Sequence, residues 1–378
     1  MKVLLVIDSF FTGGAEFSTL SFFSFLKNKG IEIEICKIKK MNPEYHPSEF
    51  NIDESIIHTL SNSSFRENRN GLKKIIEDFK PDIIHSVLFK SNILVRSISI
   101  FSRSFVHVES LVNLTYHENR LKEPGITKLK LGLYQLLDFI TLLRGTQHFH
   151  ANGYTVAQHY HEKLLIPKSK LTVIHRGRKP NLLCFDTALK ASLNISPNKF
   201  VLINIGRQEY QKAQDVLIDA IAMLDEEIKN KIHLLIVGRE GKATSELVQQ
   251  IIDKKLNNCI SFLGHRTDVP ELMKIADLFV FPSRFEGLPG VLIEAEAASL
   301  PIVCSDLPMM LEVIEKNKNA LTFELDNSNE LASCITEMFL NPSLREEYGN
   351  KSAEIFKEKF EIENIHIKML HLYSKLLK

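Results

Sequence analysis

Phe279-Val-Phe-Pro-Ser-Arg-Phe-Glu286-Gly-Leu-Pro-Gly-Val-Leu-Ile-Glu294 is the stretch that decides how this chain folds. Leu278 to Pro282 is short and apolar, the pattern of a strand buried on both faces of a parallel sheet. Gly287 and Gly290 let the backbone approach a ligand closely, and Pro289 suits the first helical position. The spacing predicts a helix beginning near Leu288, with Glu286 just ahead of it and Glu294 about two turns in. At about 1.5 Å rise per residue the two carboxylates stand roughly 8–12 Å apart along the helix. That is too far to share one proton or one metal. It suits two separate sets of hydroxyls on an elongated ligand, with a phosphate at the helix N-terminus between them.

Working outward, apolar β-branched runs alternate with helical-period segments along the whole length. In the first half the runs are Lys2–Ile7, Ile31–Ile38, Asp82–Val87, Phe105–Glu109, His148–Ala151 and Leu171–Ile174. In the second they are Phe200–Ile205, His233–Val237, Cys259–Leu263, Leu278–Phe281, Pro301–Cys304 and Ala320–Phe323. Such alternation means parallel sheets with helices on both faces. The pattern restarts at Phe200 after Arg176–Asn198, which holds Pro180 and Pro197 and no clear strand. The expectation is therefore two doubly wound, Rossmann-like domains, residues 1–180 and 181–355, facing a central cleft with ligands at the strands' C-terminal ends. A last helical segment, 356–378, is expected to pack back on the first domain.

At 378 residues the chain is too long for one comfortable core, which agrees with two domains. A net charge of +1 argues against general nucleic-acid binding. The five cysteines, Cys36, Cys184, Cys259, Cys304 and Cys334, are scattered and lack CxxC spacing, which fits a reducing compartment. Cys36, Cys259 and Cys304 lie in or beside apolar runs and are expected to be small core residues. No signal-type segment follows the first strand, and Leu131 to Leu143 is too short to span a bilayer and reads as a buried helix. A cytoplasmic protein is expected. The runs Lys37–Lys40 and Lys122–Lys130 could rest on an anionic membrane, at its inner face, although such runs are usually solvated.

Several strand ends carry candidate chemistry. Gly13-Gly14-Ala15-Glu16 follows the first strand and leads into a helix, turning backbone N–H groups toward the cleft. Gly206-Arg207-Gln-Glu-Tyr-Gln-Lys212 puts two cations on one strand-end loop, a set suited to a diphosphate. Gly264 permits the close approach by which main-chain groups read a flat base, with His265 beside it. Asp268 and Pro270 look like a cap and first turn for a helix over Glu271–Ala276. His107 and Glu109 share one face of their strand, and with His117 beyond it they are the candidates to touch an acceptor hydroxyl or a leaving sugar. The sequence has no GxGxxG after a strand, no GxxxxGK[ST], no GxSxG and no HExxH. With no Asp-X-Asp at a strand end either, no metal site is expected, and the protein's own cations must neutralise a diphosphate.

From Phe200 to about Ile314 these residues resemble the donor domain of the retaining glycosyltransferases of family four, which have the GT-B fold. Glu286 and Glu294 match the family's Glu-seven-residues-Glu motif, opening out of Pro282-Ser283-Arg284-Phe285-Glu286-Gly287. Phe262–Val269, Ala276–Val280 and Gly206–Lys212 match the flanks, and Gly13–Glu16 resembles the N-terminal glycine loop. The resemblance implies that Arg207 and Lys212 bind the donor diphosphate, helped by backbone groups near Leu288, Gly290 and Val291. It gives Glu294 the ribose hydroxyls, Glu286 the donor sugar, Gly14 the diphosphate from the other domain, and Gly264–Arg266 the base. The chain departs from the pattern in having Ala213 after the lysine, Leu307–Met310 where a glycine pair is common, and Val173-Ile174-His175-Arg176-Gly177 between the domains.

The implied activity is transfer of a hexose-type sugar from a nucleoside-diphosphate sugar, UDP-sugar favoured, to a hydroxyl of a glycan or lipid-linked oligosaccharide in polysaccharide assembly. No other cofactor is expected. The departing diphosphate would be held by cations and a helix N-terminus, with same-face attack after domain closure. A covalent carboxylate does not fit this pair of Glu residues. The rival readings are a nucleotide-sugar epimerase on the same fold and a catalytically silent sugar-nucleotide binder.

Overall fold

A computed structural model describes residues 1–11, 13–41, 44–60, 64–100, 104–122, 125–145, 148–183 and 187–378. Cys184 and residues 123–124 of the Lys122–Lys130 run lie outside the described residues. The chain divides into two compact units, Met1–Gly177 with Ile362–Lys378, and Arg178–Glu361.

The first unit contains β1 (Lys2–Ile7), β2 (Glu32–Lys37), β3 (Ile57–Thr59), β4 (Ile83–Val87), β5 (Val106–Leu111), β6 (His148–Ala151) and β7 (Leu171–Val173). They form one all-parallel sheet in the order β3-β2-β1-β4-β5-β6-β7. The pleat of β1 explains its unbroken apolar run. Val3, Leu5 and Ile7 enter a core with Leu20, Phe23 and the C-terminal helix residues Ile365, Met369 and Tyr373. Leu4 and Val6 enter a second core on the other face with Leu72, Leu94 and Val95. β3 escaped the sequence pattern because three residues at a sheet edge leave no apolar run to detect.

The second unit contains β8 (Phe200–Ile205), β9 (Ile232–Val237), β10 (Ile260–Gly264), β11 (Leu278–Phe281), β12 (Ile302–Ser305) and β13 (Ala320–Phe323). Its parallel order is β10-β9-β8-β11-β12-β13. Strand order reverses between β1 and β4 in one unit and between β8 and β11 in the other, the switch points where doubly wound sheets bind ligands. These two sheets are the doubly wound pair expected from the alternating runs.

The crossings between units come at Gly177/Arg178 and Glu361/Ile362, a few residues from the expected breaks at 180 and 355. At the first, a Cβ on Gly177 would lie 2.6 Å from the Ile362 Cα, so only glycine fits there. Phe356–Phe360, a π-helical turn, belongs to the second unit, and the Ile362–Leu376 helix belongs to the first.

Leu131–Leu143 does not form the buried helix expected from its composition. The Lys128–Gly145 helix turns Asp138 inward, where Arg96 holds it, and leaves several large apolar residues exposed. The polar anchor, not the apolar stripe, faces the protein. Among the described residues no helix is long and apolar enough to cross a membrane.

Candidate functional site

In the second unit, β8 and β11 end side by side at the switch point and deliver Gly206–Lys212 and Pro282–Gly287 together. Arg284 ties the two loops. Its guanidinium binds both Asp215 oxygens (3.1 and 2.7 Å), Asp326 (2.7 Å) and the Tyr210 carbonyl (2.6 Å), and stacks 4.1 Å from the Tyr210 ring. Gln211 donates to the Phe285 carbonyl at 2.7 Å, completing the clasp. Burial opposes the charge on Arg284, but Asp215 and then Asp326 outweigh it and raise its pKa. Sequence reasoning passed over Arg284 as a variable position inside the motif.

This clasp brings Lys212 to Glu286. Lys212 Nζ donates to Glu286 Oε1 at 2.5 Å and lies 5.2 Å from the Phe281 ring, with side chains 14% and 11% exposed. Gly206 makes room for the crossing lysine, since a Cβ there would stand 3.1 Å from Lys212 Cδ. Arg207 is exposed, and its guanidinium makes no ion pair or hydrogen bond with any described residue.

The helix after β11 spans Gly290–Ala297, beginning two residues later than Leu288, with Pro289 as the residue before the first turn. Glu294 is thus little more than one turn in, not two. No side chain caps this helix, so its first N–H groups point outward with the positive end of the helix dipole. Leu288 is buried and Val291 half-buried, so the backbone, not the side chains, is what this turn offers.

Glu294 is met by Arg178, whose Nε donates to Oε1 at 2.6 Å. The Arg178 guanidinium lies against Gly290 so closely that a Cβ there would come within 2.2 Å of Nη2. Arg178 itself is pinned by its backbone N–H donating to the Phe360 carbonyl at 2.9 Å. It follows directly on the unusual Val173–Gly177 segment, and the departure from the family pattern there was the signal that could have found it.

At the end of β10, Gly264 has φ +63 with open space where a Cβ would go, and His265 is exposed. Asp268 precedes a helix spanning Val269–Lys274 and not Glu271–Ala276. Its carboxylate does not cap that helix. Arg266 takes both oxygens instead, at 2.8 and 2.5 Å, and this hydrogen bonding holds the carboxyl below its usual range.

In the first unit the structure does not bring His107 and Glu109 to a ligand-accessible place. Both are fully buried on the sheet face covered by the Phe89–Ser99 and Lys128–Gly145 helices. Glu109 binds the Arg96 guanidinium through both oxygens (Nε to Oε2, 2.8 Å) and accepts from Asn92 at 3.0 Å. Arg96 also binds Asp138, to which the Tyr116 hydroxyl donates at 2.5 Å. Burial opposes the Arg96 charge, and Glu109 and Asp138 overcome it, pushing its pKa up. His107 Nε2 bonds Ser86 Oγ at 2.8 Å. His117, half-buried on the turn beyond β5, accepts the Asn119 N–H at 3.3 Å, and burial lowers its pKa.

The opposite face of β5 carries a polar chain that the sequence did not single out. Tyr373 Oη, His85, Ser110 Oγ and His150 are joined by contacts of 2.5, 2.7 and 2.8 Å, ending at the Ile174 carbonyl 2.9 Å from His150 Nε2. A carbonyl only accepts, so His150 carries its proton on Nε2 and accepts at Nδ1 from Ser110. Ser110 then accepts from His85 Nε2, and His85 Nδ1 accepts from Tyr373. Burial keeps both histidines neutral, lowering His150 to about 4 and His85 well below its ordinary value. The chain borders a cavity of about 50 Å³ lined also by Ala15, Asn152 and Arg176. Asn152 Oδ1 is buried there with no partner among the described residues. Gly14, the first residue of the Gly14–Asn28 helix, is Ala15's neighbour.

Comparison with known proteins agrees with this architecture. Residues 12–181 match the family described as Glycosyltransferase Family 4, and residues 185–355 the family described as Glycosyl transferases group 1. The O-antigen biosynthesis glycosyltransferase WclY of Escherichia coli is 22% identical over 366 residues, covering 93% of this chain and 96% of that protein. The N-acetylgalactosamine-N,N'-diacetylbacillosaminyl-diphospho-undecaprenol 4-alpha-N-acetylgalactosaminyltransferase of Campylobacter jejuni is 33% identical over 156 residues, 41% of each chain. Against the first curated relatives matched, the chain spans about half of their length: 57%, 43% and 52% in three of them. The crystal structure of Anabaena HepE in complex with UDP and glucose superposes with a TM-score of 0.85 at 20% identity, covering 99% of this chain and 100% of that one. With one of these family profiles on each of two Rossmann-like units, the chain belongs to the family 4, group 1 glycosyltransferases of the GT-B fold.

Proposed function

We propose that this protein transfers a hexose-type sugar, with retention, from a nucleoside-diphosphate sugar to a hydroxyl of a glycan or lipid-linked oligosaccharide. The observation that carries it is the pair of carboxylates, Glu286 and Glu294, each against a cation on either side of one uncapped helix start. Glu294 would take the ribose hydroxyls and Glu286 those of the sugar. Arg207, Lys212 and the N–H groups of Gly290 and Val291 would hold the diphosphate, with Gly264 and His265 at the base.

The difficult step is departure of the diphosphate as the sugar becomes oxocarbenium-like. Cations already held in place stabilise the departing oxygens without reorganising. In this reading Arg207, Lys212 and the helix start take the role a metal would otherwise have on the diphosphate. The acceptor hydroxyl attacks the face the diphosphate leaves, and a diphosphate oxygen takes its proton. UDP is favoured because the HepE structure was obtained with UDP. A glycan or lipid-linked acceptor is favoured by the activities for which WclY and the Campylobacter enzyme are named. On the acceptor side, the cavity beside Ser110, His150 and Arg176 suits a hydroxyl better than the sealed face of His107 and Glu109.

Calorimetric titration with UDP, GDP, ADP and CMP, without metal and then with magnesium, tests the reading. Tight, metal-independent binding of one diphosphate is expected, followed by sugar transfer once donor and acceptor are supplied. A changed nucleotide sugar or a glycal without acceptor would identify an epimerase. Binding with no turnover on any donor would leave a silent binder.

A further inference from the structure

The Lys128–Gly145 helix is built inside out. Its inner side is fixed by polar groups, Asp138 to Arg96 and Thr141 Oγ1, which accepts from Arg96 Nη1 at 3.0 Å. Its outer side carries Leu129, Leu133, Leu136 and Ile140, exposed to 86%, 55%, 53% and 55%. Spacings of four, three and four residues put these on one stripe, and Tyr134 and Leu137 widen it. An ordinary surface helix shows water the reverse arrangement, and contiguous apolar area of this kind marks an interaction surface.

The charges around the stripe indicate what covers it. Lys128 and Lys130 are exposed at its N-terminal end. Lys90 is exposed beside Phe89, whose ring lies 5.5 Å from that of Tyr134. Lys163 is exposed where its carbonyl takes the Gln135 amide at 2.8 Å, next to Leu165, which is 69% exposed. The helix's own carboxylate, Asp138, is buried, and the exposed Glu162 of the adjoining helix is hydrogen-bonded to Gln158. The stripe is therefore apolar with a cationic rim. A two-fold pairing of copies through it would offer the lysines no counter-charge, because an isologous contact brings the same patch to both sides. An anionic lipid surface offers both a counter-charge and an apolar layer.

We propose that this helix lies in the interface of an anionic membrane, with Leu129, Leu133, Leu136 and Ile140 at the headgroup–acyl boundary and the lysines among the headgroups. The proposal stands apart from the sugar-transfer reading, since it needs no nucleotide and no turnover.

Co-sedimentation with phosphatidylcholine vesicles, with and without phosphatidylglycerol, tests it. The protein should pellet with the mixed vesicles, release as salt rises, and stay in solution with phosphatidylcholine alone. Leu133→Asp with Ile140→Asp should abolish pelleting. Lys128→Glu with Lys130→Glu should weaken it by at least about 5-fold per lysine and flatten the salt dependence. All four positions are exposed, so thermal unfolding and nucleotide titration of the variants should match the parent. Absence of pelleting with mixed vesicles overturns the proposal. So does a concentration-dependent dimer in sedimentation velocity that the apolar variants dissolve, which would assign the stripe to a second copy.

Discussion

Glu109 lies on a strand of the first unit and Glu294 on a helix of the second, and each meets a guanidinium. Glu109 and Arg96 are both fully enclosed, with Asp138, Asn92 and Tyr116 using up the remaining hydrogen-bonding capacity. Glu294 keeps 32% of its side chain exposed and accepts from Arg178 Nε at 2.6 Å, beside a helix start that no side chain caps. A buried pair satisfied on every side is structural cement. A partly open pair with unspent donors beside it can exchange its partner for a ligand. The two Glu residues look alike as strand-and-helix carboxylates in sequence, and packing alone separates them.

Removing the arginine is the most direct way to break this comparison. Arg96→Leu would strand two carboxylates in the interior and is expected to cost about 3–5 kcal/mol of the first unit's stability, measured by urea unfolding. A loss under about 1 kcal/mol would mean water reaches the network, and would return His107 and Glu109 to candidacy as ligand contacts. Glu294→Gln should leave stability nearly unchanged and weaken diphosphate binding by about 10- to 100-fold, the worth of a charge-assisted hydrogen bond. Glu286→Gln should bind nearly as well and turn over more slowly. Equal, negligible effects from both would sink the assignment of the pair. Because Arg178 contacts Glu294 directly, Arg178→Gln combined with Glu294→Gln should be non-additive by about 1–3 kcal/mol in titrations.

The fold was legible because both sheets are parallel and covered on both faces, so each predicted run such as Val3–Ile7 or Leu278–Phe281 stands out as unbroken apolar sequence. Helix starts were less legible. Pro289 satisfies the sequence rule for a first turn equally well one residue outside it, which moved the start from Leu288 to Gly290. The loops of the second-unit site were readable from cations and glycines at strand ends, whereas the clasp of Arg284 and the partner of Glu294 depend on contacts 69 and 116 residues apart in sequence. In the first unit, alternation correctly put His107 and Glu109 on one face. Which face helices cover is a tertiary fact, and it leaves His85, Ser110 and His150, not His107 and Glu109, lining the cavity of this unit. The Lys128–Gly145 helix misled for the same reason: composition shows a stripe but not the direction in which it points.

A third carboxylate sharpens the contrast within one helix. Glu296, two residues past Glu294, is fully buried, accepts from Asn319 at 3.0 Å through Oε1, and has no partner for Oε2 among the described residues. Burial raises its pKa well above 4.5. In the unfolded chain Glu296 ionises as pH rises past about 4.5, while in the folded protein it stays protonated to a higher pH. Its contribution to stability is therefore fully present below that pH and declines as pH rises, until the folded group also ionises. Glu296→Gln should match the parent at low pH. Above about 4.5 it should gain on the parent by up to about 1.4 kcal/mol per pH unit, then level off. A flat difference across that range would show Glu296 charged in the folded state and matched by a counter-ion.

The smallest effect concerns the backbone that aims Lys212. Ala213, where the family commonly has glycine, holds φ 50 and ψ 35, the left-handed region, with its methyl fully buried. Left-handed geometry costs alanine about 1 kcal/mol, while the buried methyl contributes about 0.8 kcal/mol and alanine's stiffer unfolded chain about 0.4–1 kcal/mol. These nearly cancel, so Ala213→Gly should change stability by under about 1 kcal/mol. Ala220→Gly, equally buried in the Gln214–Met223 helix without left-handed strain, loses the methyl and helix propensity together and should cost about 2 kcal/mol. The difference between the two substitutions measures the strain at Ala213. If that strain holds Lys212 against Glu286, Ala213→Gly will weaken diphosphate binding with no matching loss of stability. Unchanged affinity would mean that the Arg284 clasp positions the lysine by itself.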